Sequence, residues 1–145
     1  MPFEHEPEPS GKRLVPPGHI RVTLDDFEGS GSKVAMISVG DLFEETALVN
    51  SFESRGWEVR LADGMIDAIA VVDHEGVKMV VTDDFDLIGC LRSTWNLGRP
   101  PVFVALFTWH EDTYRYAKSA GADAALTRPL DLKDPLAFFG FDVSG

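Results

Sequence analysis

An α/β fold, a doubly wound parallel sheet of five strands behind an N-terminal extension, is what this sequence predicts, on three observations. From Lys33 onward, short apolar runs alternate with segments whose apolar residues recur at helical spacing. Strands alternating with helices build βαβ units around a parallel sheet. The runs at residues 34–39, 77–81 and 101–107 are apolar almost without interruption, as suits strands buried on both faces. Gly56, Gly76, Gly98 and Gly121 fall where the helical segments stop.

The first eighteen residues carry Pro2, Pro7, Pro9, Pro16 and Pro17, with Glu4, Glu6 and Glu8 between them. Missing backbone donors and repelling charges predict an extended or disordered stretch. Ile20, Val22 and Leu24 alternate with Arg21 and Thr23, a period of two that predicts a short strand at 20–24. An open sheet offers two edges to such a strand, here at its second and fifth strands. The alternative is that so short a run stays mobile, because ordering costs about 1–2 kcal/mol per residue. Gly29, Ser30, Gly31 and Ser32 read as a hinge. The extension is therefore placed at 1–32 and the domain at 33–145.

In the domain, strand one is expected at 34–39, followed by a helix over 44–55 with Leu48 and Phe52 one turn apart. Strand two spans 57–61, and Met65, Ile69 and Val72 mark the second helix. Strand three, 77–81, runs into Thr82, Asp83 and Asp84. Leu87, Leu91 and Trp95 share one face of the third helix, which Gly98 and Pro100 terminate. Strand four spans 101–107, helix four 111–120, strand five 124–127, and a short last helix 131–139. Ligands and chemistry in such sheets collect outside the C-terminal strand ends. Those ends hold Ser38 to Asp41, Asp83 to Asp86, Leu106 to Trp109, and Arg128-Pro129.

The chain has 145 residues, 44% of them hydrophobic, enough for one domain with a real core. Its formal net charge of −11 argues against direct nucleic-acid binding, which draws its affinity from cations on phosphates. Lys12-Arg13 is the only adjacent basic pair. No apolar run is long enough to cross a bilayer, and the first ten residues lack the pattern of a secretory signal. A lone cysteine, Cys90, excludes an internal disulfide and a cysteine-based metal site. A cytoplasmic protein is expected. His5, His19, His74 and His110 show no metal-ligand spacing.

The segment AKSAGADAALTRPLDL, residues 117–132, resembles the receiver-domain segment around AGADDYLTKPFDL. KMVVTD, residues 78–83, looks like DLVLLD in the same family, the response-regulator receivers of two-component signalling. With the order of elements, the resemblance covers residues 33–139. It implies a receiver-type, flavodoxin-like sheet and places Asp83 at the phospho-acceptor position. It also implies a cis Arg128–Pro129 bond.

Where the family has two acidic Mg2+ ligands after strand one, this chain has Ser38 and Val39. Valine cannot ligate a metal and serine brings no charge. The hydroxyl residue of strand four aligns with Leu106, and Thr108 lies two residues beyond. The lysine before the proline is Arg128, whose planar fork differs from a compact ammonium. The aromatic switch residue of strand five aligns with Ala125, and DFDLIG replaces the usual loop after the acceptor.

Phosphoryl transfer rests on positioning and charge neutralisation, so these losses should cripple it. The expectation is a degenerate pseudo-receiver: a non-enzymatic module, with Asp83 vestigial and Ser38, Val39, Leu106 and Arg128 lining a degenerate pocket. No cofactor is expected, and no Mg2+ binding. Asp41, Glu44 and Glu45 are candidate replacement ligands, but carboxylates there also oppose the dipole of the first helix. The expected partner is another signalling protein or a second copy, with no nucleic acid and no membrane. Family analogy puts the interaction surface on helix four, strand five and helix five. Trp109, Tyr114 and Tyr116 either pack on neighbouring apolar surface or, with Ala125, form that surface. Two other readings stay open: a working phospho-receiver using Asp83, and a small-molecule-binding flavodoxin-like domain. No cobalamin, GxGxxG or phosphate-loop signature supports the second.

Overall fold

The computed structural model describes residues 21–22, 33–95, 100–138 and 140–142. Among the described residues seven strands form one sheet: β1 (Arg21–Val22), β2 (Val34–Ser38), β3 (Glu58–Leu61), β4 (Met79–Thr82), β5 (Val102–Thr108), β6 (Ala124–Arg128) and β7 (Gly140–Asp142). The helices are α1 (Leu42–Glu53), α2 (Gly64–Glu75), α3 (Phe85–Thr94) and α4 (Glu111–Ala120), with a 3-10 turn at Pro135–Phe138. The spatial order is β1-β7-β6-β5-β4-β2-β3. β2 to β6 are parallel and form the five-stranded sheet expected. Their order is that of the flavodoxin-like doubly wound sheet, with its switch point between β2 and β4.

Alternation along each strand splits the core in two. Val34, Met36, Val80, Phe103, Ala105 and Ala125 face α2, α3 and α4. Ala35, Ile37, Met79, Val81, Val104, Leu106 and Leu126 face the other way, onto Leu48 and Phe52 of α1 and Leu136 of the 3-10 turn. Trp57, expected to open the second strand, instead precedes β3 and meets Phe52 edge-on at 5.4 Å.

Helix ends follow local chemistry. Asp41 caps α1 by accepting from Glu44 N at 3.0 Å, so that helix starts at Leu42, two residues before the expected point. α4 matches its expected bounds and ends at Gly121, whose φ of 105° lies in the left-handed region. A Cβ there would also come within 2.6 Å of Arg92 Cδ. Arg92 is held by Asp123 at 2.6 Å and lies 4.8 Å from the Phe103 ring centroid. Asp123 also accepts from Phe103 N at 2.9 Å. One carboxylate thus ties α3, the α4–β6 turn and β5 together. Trp95 does not lie within α3: it is the extended residue that follows it (ψ 128°).

The C-terminal part differs from expectation. Of the last helix expected at 131–139, only Pro135–Phe138 is helical among the described residues, as a 3-10 turn. Pro135 has no N–H to donate back to Asp131, so a helix cannot run through from there. The chain then forms β7, antiparallel to β6, pairing Ala125 with Phe141. β1 pairs with β7, Arg21 opposite Phe141. The run around Val22 therefore joins the sheet, but on β7 and not on the fifth parallel strand. The rest of the 20–24 run, the residues before it and the 29–32 hinge lie outside the described residues. On the opposite side β3 is the last strand. β7 thus lies along the edge of β6, the fifth parallel strand.

Candidate functional site

Of the residues singled out from the sequence, Ser38, Val39, Asp83 and Arg128 lie at the C-terminal ends of β2, β4 and β6, around the switch point. Asp83 follows β4 and is fixed from both sides. Buried Thr82 accepts from Asp84 N through its hydroxyl at 3.0 Å. Asp84 then caps α3, accepting from Asp86 N at 3.0 Å. Between these anchors the Asp83 carboxylate turns toward β2 and β6. Its Oδ2 accepts from Gly40 N at 3.2 Å and from Arg128 Nη2 at 2.9 Å.

Arg128, the last residue of β6, holds a second carboxylate. Its Nε and Nη2 fork onto Glu44 of α1, at 3.0 Å to Oε2 and 2.9 Å to Oε1. One guanidinium therefore bridges two acids whose side chains keep only 13% (Glu44) and 25% (Asp83) of their exposure. The Glu44 hydrogen bonds, reinforced by Asp83, hold the Arg128 guanidinium above its ordinary value despite partial burial. It stays a cation throughout. The Arg128–Pro129 bond is cis.

The other aligned positions divide between the two faces of the sheet. Ser38 pairs with Thr82 in the sheet, and Val39 packs against the core beneath α1. Leu106 is buried in that same core. Thr108 shares its strand face but lies exposed at the strand end, opposite Arg128 in the register. Ala125 is buried beside Ala105, on the side of the sheet that also buries Phe85 and Phe107. These two rings meet edge-on at 5.7 Å. Small side chains at 105 and 125 leave that layer to them.

The three aromatics separate. Trp109 and Tyr114 pack against the core, 5.3 Å from one another, and Trp109 lies 6.4 Å from Phe107. Tyr116 is 53% exposed, sits edge-on to Phe85 at 5.1 Å and donates to Asp86 Oδ1 at 2.9 Å. That carboxylate holds the Tyr116 phenol above the usual tyrosine range. A continuous aromatic series thus runs Tyr116, Phe85, Phe107, Trp109, Tyr114. Phe85 and Phe107, its central members, were not singled out from the sequence, nor was Glu44 as the partner of Arg128. An (i, i+8) or longer relation across a sheet leaves no periodic signal.

Ser38 and Val39, at the end of β2, offer no carboxylate, and Asp83 Oδ2 already accepts two donors. Among the described residues, no group of three or more His, Cys, Asp or Glu side chains could hold a metal ion. No helix of the described residues is long and apolar enough to cross a membrane.

No family model and no curated protein matches the chain by sequence. Solved structures match its fold. The chemotaxis response regulator CheY4 of Vibrio cholerae is 15% identical with a TM-score of 0.62, over 71% of this chain and 92% of that one. A response regulator receiver protein from Pseudomonas putida is 18% identical with a TM-score of 0.60, over 72% and 92%. The signal receiver domain of a response regulator from Bermanella marisrubri is 20% identical with a TM-score of 0.62, over 74% and 94%. The chain has the receiver-domain fold, and β7 and β1 extend its sheet.

Proposed function

We propose that this chain is a pseudo-receiver: a non-enzymatic signalling module that works by protein–protein interaction and does not depend on phosphorylation. The observation that carries this reading is the Arg128 bridge. The acceptor-position carboxylate is already neutralised by a cation of the chain itself, 2.9 Å away. An incoming phosphoryl group would have to displace Arg128 from Asp83 or approach beside Asp84 and Asp86 with no metal to offset its charge. Leu106, which aligns with the family's hydroxyl residue, is buried and carries no hydroxyl.

Asp83→Asn tests the reading in the source organism. The substitution keeps the shape of the side chain, an amide oxygen for Gly40 N and Arg128, and removes the nucleophile. A pseudo-receiver gives the wild-type phenotype with Asp83→Asn and a distinct one when the whole chain is deleted. If Asp83→Asn reproduces the deletion phenotype while the protein remains folded and abundant, Asp83 is a working phospho-acceptor and the proposal fails.

A further inference from the structure

Seven large hydrophobic side chains are exposed among the described residues, and five of them cluster: Leu42, Phe43, Leu61, Met65 and Ile66. Leu42 and Phe43 begin α1, just beyond β2. Leu61 ends β3, and Met65 and Ile66 begin α2. β2 and β3 are hydrogen-bonded neighbours, with Ile37 opposite Leu61. The five residues therefore lie along one rim, the C-terminal end of β2 and β3 at that side of the sheet, with α1 on one face and α2 on the other. Three are largely in water: Ile66 at 86%, Phe43 at 76% and Leu42 at 69%. Single exposed apolar residues are ordinary, but a cluster of this kind marks an interaction site.

The rim is also acidic. Residues 41–46 and 61–67 carry Asp41, Glu44, Glu45, Asp63 and Asp67 and no Lys or Arg. The adjoining Arg60 faces Glu58 at 3.6 Å, and Arg128 is taken up by Glu44 and Asp83. Carboxylates at helix starts are common, because they oppose the dipole. Combined with exposed apolar side chains, they make a surface that is apolar at its centre and negative at its border.

We infer that this rim docks an amphipathic helix of a partner protein, with an apolar stripe flanked by lysine or arginine. Charge complementarity selects that occupant. A second copy meeting rim to rim would set like charges against each other. The chain's own extension is a poor fit: residues 23–32 hold Asp25, Asp26 and Glu28 with no Lys or Arg, and prolines interrupt residues 1–18. An anionic membrane would be repelled. The inference deepens the interaction reading above by naming a surface and a partner class. It concerns the rim and not the pocket, so the Asp83→Asn test and the test below fail separately.

The test is an amide-shift titration of the full chain with a 14-residue helical peptide, about 21 Å long. Leucines occupy one face and lysines the rest; a matched leucine–glutamate peptide is the control. The expected result is saturable shifts confined to 41–46 and 61–67, weakened by salt and absent with the control peptide. Ile66→Ser and Phe43→Ser, both at exposed positions that leave the core intact, should each weaken binding at least tenfold. Shifts centred elsewhere, equal response to the control, or unchanged affinity in both variants would overturn the inference. So would movement of the 61–67 amides on deleting residues 1–19 without peptide, which would make the extension the occupant. Saturable binding of phosphatidylcholine vesicles that Ile66→Ser abolishes, with no response to either peptide, would overturn it in favour of a lipid surface.

Discussion

Arg128 Nη2 lies 2.9 Å from Asp83 Oδ2, and the same guanidinium forks onto Glu44, 84 residues away in sequence. The end of β6 is thereby locked to the loop after β4 and to the first turn of α1. Arg128→Ala would leave two partly buried carboxylates facing a hole. The expected loss is about 1–2 kcal/mol, below the upper range for charged hydrogen bonds because water reaches part of the bridge. Arg128→Lys should recover part of it, since an ammonium cannot fork onto Glu44 while reaching Asp83. Urea unfolding of the three proteins checks this ordering; equal midpoints for wild type and Arg128→Ala would remove the bridge from the account.

Ser38→Asp with Val39→Asp should create a metal dependence. Ser38→Asp with Val39→Asp adds two carboxylates beside Asp83, and their repulsion lowers stability until Mg2+ neutralises them. Thermal melts should show a lower midpoint without Mg2+ and recovery with it. A double variant indifferent to Mg2+ would mean that Ser38 and Val39 do not face the pocket as aligned.

A second ion pair makes stability pH-dependent. Asp134, in the segment after β6, accepts from Arg55 at 2.8 and 2.9 Å and from the buried Ser51 hydroxyl. Arg55 above all holds the Asp134 carboxyl below its usual range. A carboxyl depressed in the folded state stabilises fully above its unfolded value, near 3.9, and that contribution fades as pH falls through the folded value. Because 42% of the Asp134 side chain is exposed, the effect should stay below about 1 kcal/mol. Comparing Asp134→Asn with wild type at pH 6 and at pH 3 checks it: the gap in stability should shrink at the lower pH. A gap that widens would refute the assignment.

Gly121→Ala should cost about 1–3 kcal/mol, from a left-handed backbone and from the contact with Arg92. Arg92→Ala in the same chain should relieve the contact but not the backbone strain, so the two substitutions will not be additive. Chemical denaturation of the single and double variants reads this directly, and simple additivity would show that Arg92 moves aside freely.

The parallel sheet and α1 to α4 were legible because each carries its own periodic signal: continuous apolar strands, helical spacing at Leu48 and Phe52, and glycine at the stops. The AGAD motif was legible as a resemblance, and the structure gives its aspartate a reason, since Asp123 joins Arg92 to Phe103 N. β7 was not legible. Three residues, Gly-Phe-Asp, are too few to show a period, and they are strand only because β6 offers an edge. Asp83 and Arg128, which the resemblance aligned, meet in the structure, but the Arg128–Glu44 pair was not legible, because nothing local in the sequence couples the end of one strand to the first turn of a distant helix. Asp41, Glu44 and Glu45 were weighed as ligands or dipole partners; Asp41 caps the helix and Glu44 pairs with arginine.

We propose that Asp83 is not phosphorylated, because Arg128 neutralises it and no acidic pair stands beside it. Intact-mass measurement of the full chain, after incubation with acetyl phosphate and millimolar Mg2+, tests it most directly. The account predicts no phosphoryl adduct on the wild-type chain. A Mg2+-dependent adduct that appears on the wild-type chain and disappears in Asp83→Asn would contradict it and make the chain a working receiver.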